Sequence, residues 1–130
     1  MQDRFKFRAW NLEKGIMHYD VEDTYDGISN NAIEHSNFSA VLEDNEYIVM
    51  QCTGLKDKNG KLIYEGDILF WEDENDRGYV QWQDEDADYL IIFSNYSAVS
   101  FNLEVEPSQL EIIGNIYENK ELLKEQNNGK

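Results

Sequence analysis

Asp57-Lys58-Asn59-Gly60 constrains this chain more than any other short stretch. An Asn-Gly pair supplies the positive φ angles that a tight type I′ turn needs. Before it stands Tyr47-Ile48-Val49-Met50-Gln51-Cys52-Thr53, rich in β-branched and aromatic residues; after it comes Leu62-Ile63-Tyr64. Together they predict a hairpin: a central strand broken by Gly54, a tight turn and a short return strand. Glu65-Gly66-Asp67 then marks a second turn, and Ile68-Leu69-Phe70-Trp71 the next strand.

The same reading extends in both directions. Phe5, Phe7 and Ala9 alternate with Lys6, Arg8 and Trp10, a period of two that predicts a strand. Asn11-Leu12-Glu13-Lys14-Gly15 is a turn, and Ile16-Met17-His18-Tyr19 the returning strand. Residues 20–45 hold Asp23, Asp26, Gly27, Ser29, Asn30 and Asn31 and read as a long loop or irregular insertion with at most one short strand. Further on, strands are expected at Gly78–Trp82, Tyr89–Phe93, Ala98–Leu103 and Leu110–Tyr117, with Gly114 at a bulge or close approach. Asn119 is placed to cap a short helix through Lys124, and residues 126–130 to fray. Short strands at this spacing predict a mainly β fold. The expectation is one domain over residues 1–130: a small, highly curved, SH3-like barrel with extra N-terminal strands and a short C-terminal helix.

Charge excludes several functions. Lys and Arg number 11 against 27 Asp and Glu, a net charge of −16. Direct binding to nucleic acid needs clustered cations, and anionic membrane surfaces are disfavoured for the same reason. Apolar runs such as Leu90-Ile91-Ile92-Phe93 are far too short to span a membrane. Cys52 is the single cysteine, so no internal disulfide forms. Met1-Gln2-Asp3-Arg4-Phe5 lacks the apolar core of a signal peptide, so a reducing cytosol is expected.

The stretch from Met50 to Ile68, MQCTGLKDKNGKLIYEGDI, closely resembles the signature of the YopX family. Phe5-Lys6-Phe7-Arg8-Ala9-Trp10-Asn11 resembles that family's opening, and residues 112–123, IIGNIYENKELL, its close. The chain departs from the family's usual aromatic at Cys52, Asp at Asn11 and Pro at Lys120. The resemblance implies a β-rich protein encoded by bacteriophages or prophages, with no established activity and no catalytic residues to carry over. It also implies an oligomeric assembly.

The residues themselves show no catalytic, cofactor, metal or phosphate-binding signature. Glycines such as Gly66 and Gly114 are isolated rather than grouped in a phosphate loop, and His18 and His35 lack metal-ligand spacing. Cys52 in an apolar strand reads as an inert buried thiol. Trp10, Trp71, Trp82, Tyr79 and Tyr89 could stack on bases or sugars, but at strand period they read as core. What stands out is charge. Glu72, Asp73, Glu74, Asp76, Asp84, Glu85, Asp86 and Asp88 form a candidate acidic interaction surface. Arg4, Lys6, Arg8, Lys56, Lys58 and Lys61 form a candidate basic patch and hold six of the eleven cations. The leading expectation is a non-enzymatic protein-interaction module, with a homo-oligomer as one form of partner. The alternatives are an acidic mimic of nucleic acid, which needs carboxylates spaced like phosphates along one continuous face, and a small metal-dependent hydrolase.

Overall fold

Among the described residues of a computed structural model of the protein, the backbone forms nine strands and one six-residue helix. The residues described are 3–24, 33, 35, 37–93, 97–101 and 106–123. The chain divides into two compact units, Met1–Gly54 and Leu55–Lys130. The mainly β expectation holds, with a strongly curled half-barrel sheet and a helical turn at residues 121–123.

In the first unit, β1 (Phe7–Asn11) lies between β2 (Ile16–Tyr19) and β3 (Tyr47–Lys56), antiparallel to both. Ala9 pairs with His18 on one side and with Val49 on the other. Ala9, Val21, Ile33 and Val41 are buried together, with Phe7, Phe38, Tyr47 and Val49 packed against them. Val41 comes from helix α1 (Phe38–Glu43), which stands where a loop is expected from the sequence. Asn37 starts it: its backbone is extended and its Oδ1 accepts the Ala40 N–H at 2.9 Å, which removes one orphan donor of the first turn. Phe38 then reaches Phe7, ring centres 5.0 Å apart, so packing stabilises a helix too short to persist alone. At the N-terminus the strand expected from Phe5 begins only at Phe7, because Asp3–Phe5 forms a 3-10 turn.

In the second unit the end of β3 joins β4 (Leu62–Tyr64), and a five-stranded antiparallel sheet runs in the order β8-β7-β6-β5-β9. These strands are β5 (Asp67–Trp71), β6 (Asp76–Gln83), β7 (Asp88–Phe93), β8 (Ala98–Ser100) and β9 (Leu110–Asn115). Ile63, Leu69, Val80, Ile91, Phe93, Phe101 and Leu110 make its core. Gly54 does not end β3 as expected; it sits within the strand at φ 86°, and the strand continues to Lys56.

The hairpin turn is real, but its type differs from the expectation. A type I′ turn needs positive φ at both central residues. Here Asn59 is not among the residues with positive φ, whereas Gly60 has φ 82°. The Gly60 N–H bonds to the Asp57 carbonyl at 3.0 Å and the Asp57 N–H to the Lys61 carbonyl at 2.8 Å. That is a three-residue loop, a type I turn followed by a left-handed glycine. The deciding group is the Asp57 side chain, whose Oδ1 accepts the N–H groups of Asn59 and Lys61 at 2.9 and 3.0 Å. Its Oδ2 accepts the Ile112 N–H on β9 at 3.0 Å, and the Lys58 N–H bonds to the Leu110 carbonyl at 2.9 Å. The loop is thereby hydrogen-bonded onto an edge strand.

β9 ends at Asn115 rather than at Tyr117. Asn115 stops it by accepting the N–H groups of Tyr117 and Glu118 on its own Oδ1 at 3.0 and 2.9 Å. Asn119 does not cap the following helical turn with its side chain; it turns back, and its Oδ1 accepts the Asn115 N–H at 3.1 Å. Its main-chain carbonyl receives the Leu122 N–H instead. Gly114 was expected at a bulge or close approach, and both occur. The pairing with β5 skips a residue between Ile112 and Gly114, and a Cβ on Gly114 would lie 2.6 Å from the Asn119 Oδ1. The predicted frayed tail, residues 25–32, 34 and 36 of the predicted loop, 102–103 of the predicted strand from Ala98 and Lys124 of the predicted helix lie outside the described residues.

Two outcomes follow from these contacts. Burial pushes the Asp57 carboxyl up, but the N–H groups of Ile112, Lys61 and Asn59, aided by the Lys61 charge, outweigh it and hold the group below its usual range. A depressed folded pKa stabilises the fold fully above the unfolded value of about 4 and loses that contribution as pH falls through the folded value. Asp57→Asn is therefore expected to cost about 2–4 kcal/mol at neutral pH, and the gap from wild type to narrow below about pH 4 in urea titrations. Gly114→Ala is expected to cost about 1–3 kcal/mol by displacing Asn119, with Asn119→Gly recovering part of that loss; a double-mutant cycle of melting curves reads the coupling.

Candidate functional site

The eight acidic residues occupy the two hairpin tips at either end of β6. Glu72, Asp73 and Glu74 lie in the β5–β6 turn with Asp76 at the start of β6; Asp84, Glu85 and Asp86 lie in the β6–β7 turn with Asp88 at the start of β7. Eight extended residues separate the tips by about 24 Å. That distance prevents all eight from meeting at one cation. It also interrupts the continuous, evenly spaced anionic face that mimicry of nucleic acid needs. Among the described residues no group of three His, Cys, Asp or Glu side chains is placed to hold a metal ion.

The tips differ in how their charge is compensated. Glu72 takes an ion pair from Lys58, which also approaches Glu111 at 3.6 Å. The hydrogen bond to Glu72 raises the Lys58 pKa above its usual value. At the other tip three of the carboxylates meet neutral donors. The Trp82 indole N–H bonds to the Asp84 Oδ1, the Gln83 amide to the Glu85 Oε1 at 3.2 Å, and the Ser100 hydroxyl to the Asp88 Oδ2. Such bonds orient the carboxylates and leave their charge in place.

Of the expected basic patch, Arg4, Lys6 and Arg8 belong to the first unit and Lys56, Lys58 and Lys61 to the second. Arg8 is buried, 2% exposed, and so is no part of a surface. Its guanidinium lies 6.0 Å from the Tyr19 ring centre and its Nη1 reaches the Tyr19 hydroxyl at 3.5 Å. The strand alternation placed Arg8 opposite Phe7, but β1 is covered on both faces, as burial of Arg8 and Ala9 in succession shows. Arg4 lies over the Phe5 ring, Lys6 pairs with Asp20 at 3.7 Å, and Lys58 is engaged by Glu72; Lys56 and Lys61 are exposed.

The aromatic residues divide in a similar way. Trp71 stacks on Phe93, ring centres 6.0 Å apart, and Tyr89 packs against the core, whereas Trp82 is 39% exposed. Cys52 is fully buried and its sulfur accepts the Gly54 N–H at 3.4 Å.

One polar cluster was not legible in the sequence. His35 and Asp44 join at 2.8 Å beside Tyr47, whose ring also meets the buried His18 edge-on. The Asn11 side-chain nitrogen lies 3.5 Å from both His18 and the Tyr47 hydroxyl. The Glu46 N–H first, and then His35, hold the Asp44 carboxyl below its usual range. The cluster ties the segment before α1 to the start of β3. His35 and Asp44 are brought together by the α1 turn, and neither strand nor helix periodicity signals that.

Comparison with known proteins now adds a second line of support. The family model described as YopX protein matches residues 6–124. The crystal structure of protein EF1440 from Enterococcus faecalis is similar, with 26% identity, a TM-score of 0.57, and coverage of 91% of this chain and 96% of that one. The structure of protein yopX from Bacillus subtilis shares the fold at 20% identity and a TM-score of 0.53, covering 92% of this chain and 98% of that one. No curated protein matches the sequence. No helix among the described residues is long and apolar enough to cross a membrane. With the match running from Lys6 to Lys124, this chain belongs to the YopX protein family.

Proposed function

We propose that this protein is a non-enzymatic protein-interaction module that presents anionic hairpin tips to a basic partner. One observation carries the reading: carboxylates are gathered at two hairpin turns, and Asp84 and Glu85 of the β6–β7 turn are oriented by neutral donors. Catalysis or cation binding calls for convergence at one point, with shifted proton affinities or shared ligands. Presentation to a partner calls for outward placement on a rigid frame, which the β5–β6–β7 pairing supplies. A charge of −16 also accelerates encounter with cationic surfaces and opposes direct contact with nucleic acid. The setting in this reading is the cytosol of a bacterium carrying a phage or prophage; the bacterial sources of both structural neighbours are in keeping with it. Assembly of copies into a homo-oligomer belongs to the same reading.

The test uses a variant with both tips neutralised: Asp73→Asn, Glu74→Gln, Asp84→Asn, Glu85→Gln and Asp86→Asn. A partner captured from bacterial lysate, then identified and purified, is expected to bind wild type in a salt-sensitive manner and the variant at least about tenfold more weakly. Equal binding by wild type and variant would sink the proposal. Melting curves with Mg²⁺, Mn²⁺ or Ca²⁺ are expected to coincide with the metal-free curve; a clear rise would favour the hydrolase alternative.

A further inference from the structure

Trp82 breaks the pattern of its own sheet. Val80 and Ile91 face each other in the core, and two residues along the same face Trp82 faces Tyr89. The face therefore continues past the end of the core. Tyr89 still packs against the core, but Trp82 runs beyond it and leaves 39% of its surface in solvent. The two rings meet edge-on, 4.9 Å between centres and 65° between planes, and the indole N–H is fixed on Asp84. An exposed indole held on two sides is a prepared surface rather than a loose side chain.

The other tip supplies the contrast. It carries as many carboxylates, yet Trp71 is turned inward onto Phe93 and bonded to Gln109, and Glu72 is matched by Lys58. Acidic residues alone therefore do not distinguish the two turns; the exposed ring does.

Resting on the interaction-module reading above, we infer that the β6–β7 tip is the docking point for an arginine of a basic protein partner. Trp82 supplies the stacking surface, and Asp84, Glu85 and Asp86 supply the opposing charge. A guanidinium is planar and weakly hydrated, so it stacks on an aromatic face while its edge still donates to carboxylates. A lysine ammonium is a compact, strongly hydrated point charge and does not combine the two contacts in this way.

Oligoarginine and oligolysine peptides of equal length are the probes. Oligoarginine is expected to bind more tightly and to shift the indole N–H resonance of Trp82 ahead of those of Trp10 and Trp71. Trp82→Ala is expected to weaken oligoarginine binding about 5–30-fold, while Trp82→Phe retains most of it. Asp84→Asn, Glu85→Gln and Asp86→Asn together are expected to weaken it more than Asp73→Asn with Glu74→Gln. The wild-type resonance shifts keep the test decisive if Trp82→Ala fails to fold. Salt-sensitive binding of both peptides that ignores Trp82 would overturn this inference and leave the module reading standing. No binding of either peptide would also overturn it, and the module reading would then stand or fall on the partner-capture test alone.

Discussion

A single carboxylate holds the second unit's most distant parts together. Asp57 accepts two N–H groups inside its own turn and a third from Ile112, 55 residues away. A short hairpin alone is marginal in water. Attached to β9, it shares the stability of the five-stranded sheet, because β9 pairs with β5 and β5 with β6. A buried carboxylate is costly unless its lone pairs are met, and here backbone donors meet them. The rest of the unit follows from that attachment. It fixes the edge of the sheet, and the sheet fixes the turns at either end of β6.

Those turns carry the functional argument. Their carboxylates are kept apart by the length of β6 and are oriented by different kinds of donor. Where a lysine is the donor, the charge of Glu72 is matched. Where indole and amide groups are the donors, geometry is fixed and charge remains, the state suited to a cationic partner. The residues of the family-like segments have structural tasks instead. Asp57 and Gly60 shape the loop, Gly66 and Asp67 the following turn, and Asn115 and Asn119 a reciprocal pair of hydrogen bonds after β9. The segments that identify the family are thus largely those that hold the fold, and the loops between them are where acidic residues accumulate.

How far the sequence could be read depended on the range of the interactions involved. Strands such as Ile68–Trp71 and Tyr89–Phe93 were legible because alternation and β-branched content reflect burial of a pleated surface. The turn after Asp57 was legible in place but not in type, because the side chain of Asp57 rather than Asn59 decides it. Helix α1 was missed: its six residues are too few to show a period, and its stability comes from Phe7 and the Asn37 cap. Arg8 was misplaced for a related reason. Alternation predicts which side of a strand a residue occupies, and only packing decides whether that side meets water.

The turn at Asp57–Gly60 and the acidic tips were set by local chemistry: glycine's freedom at positive φ, and charges too costly to bury. The sequence by itself therefore determined a β-rich acidic chain, its principal turns and its family. Tertiary structure alone decided that Asp57 reaches Ile112, that Arg8 lies inside, and that of the two tryptophans beside acidic turns only Trp82 faces solvent. Each of these depends on partners far apart in the chain, and no local pattern encodes which distant backbone or ring will arrive.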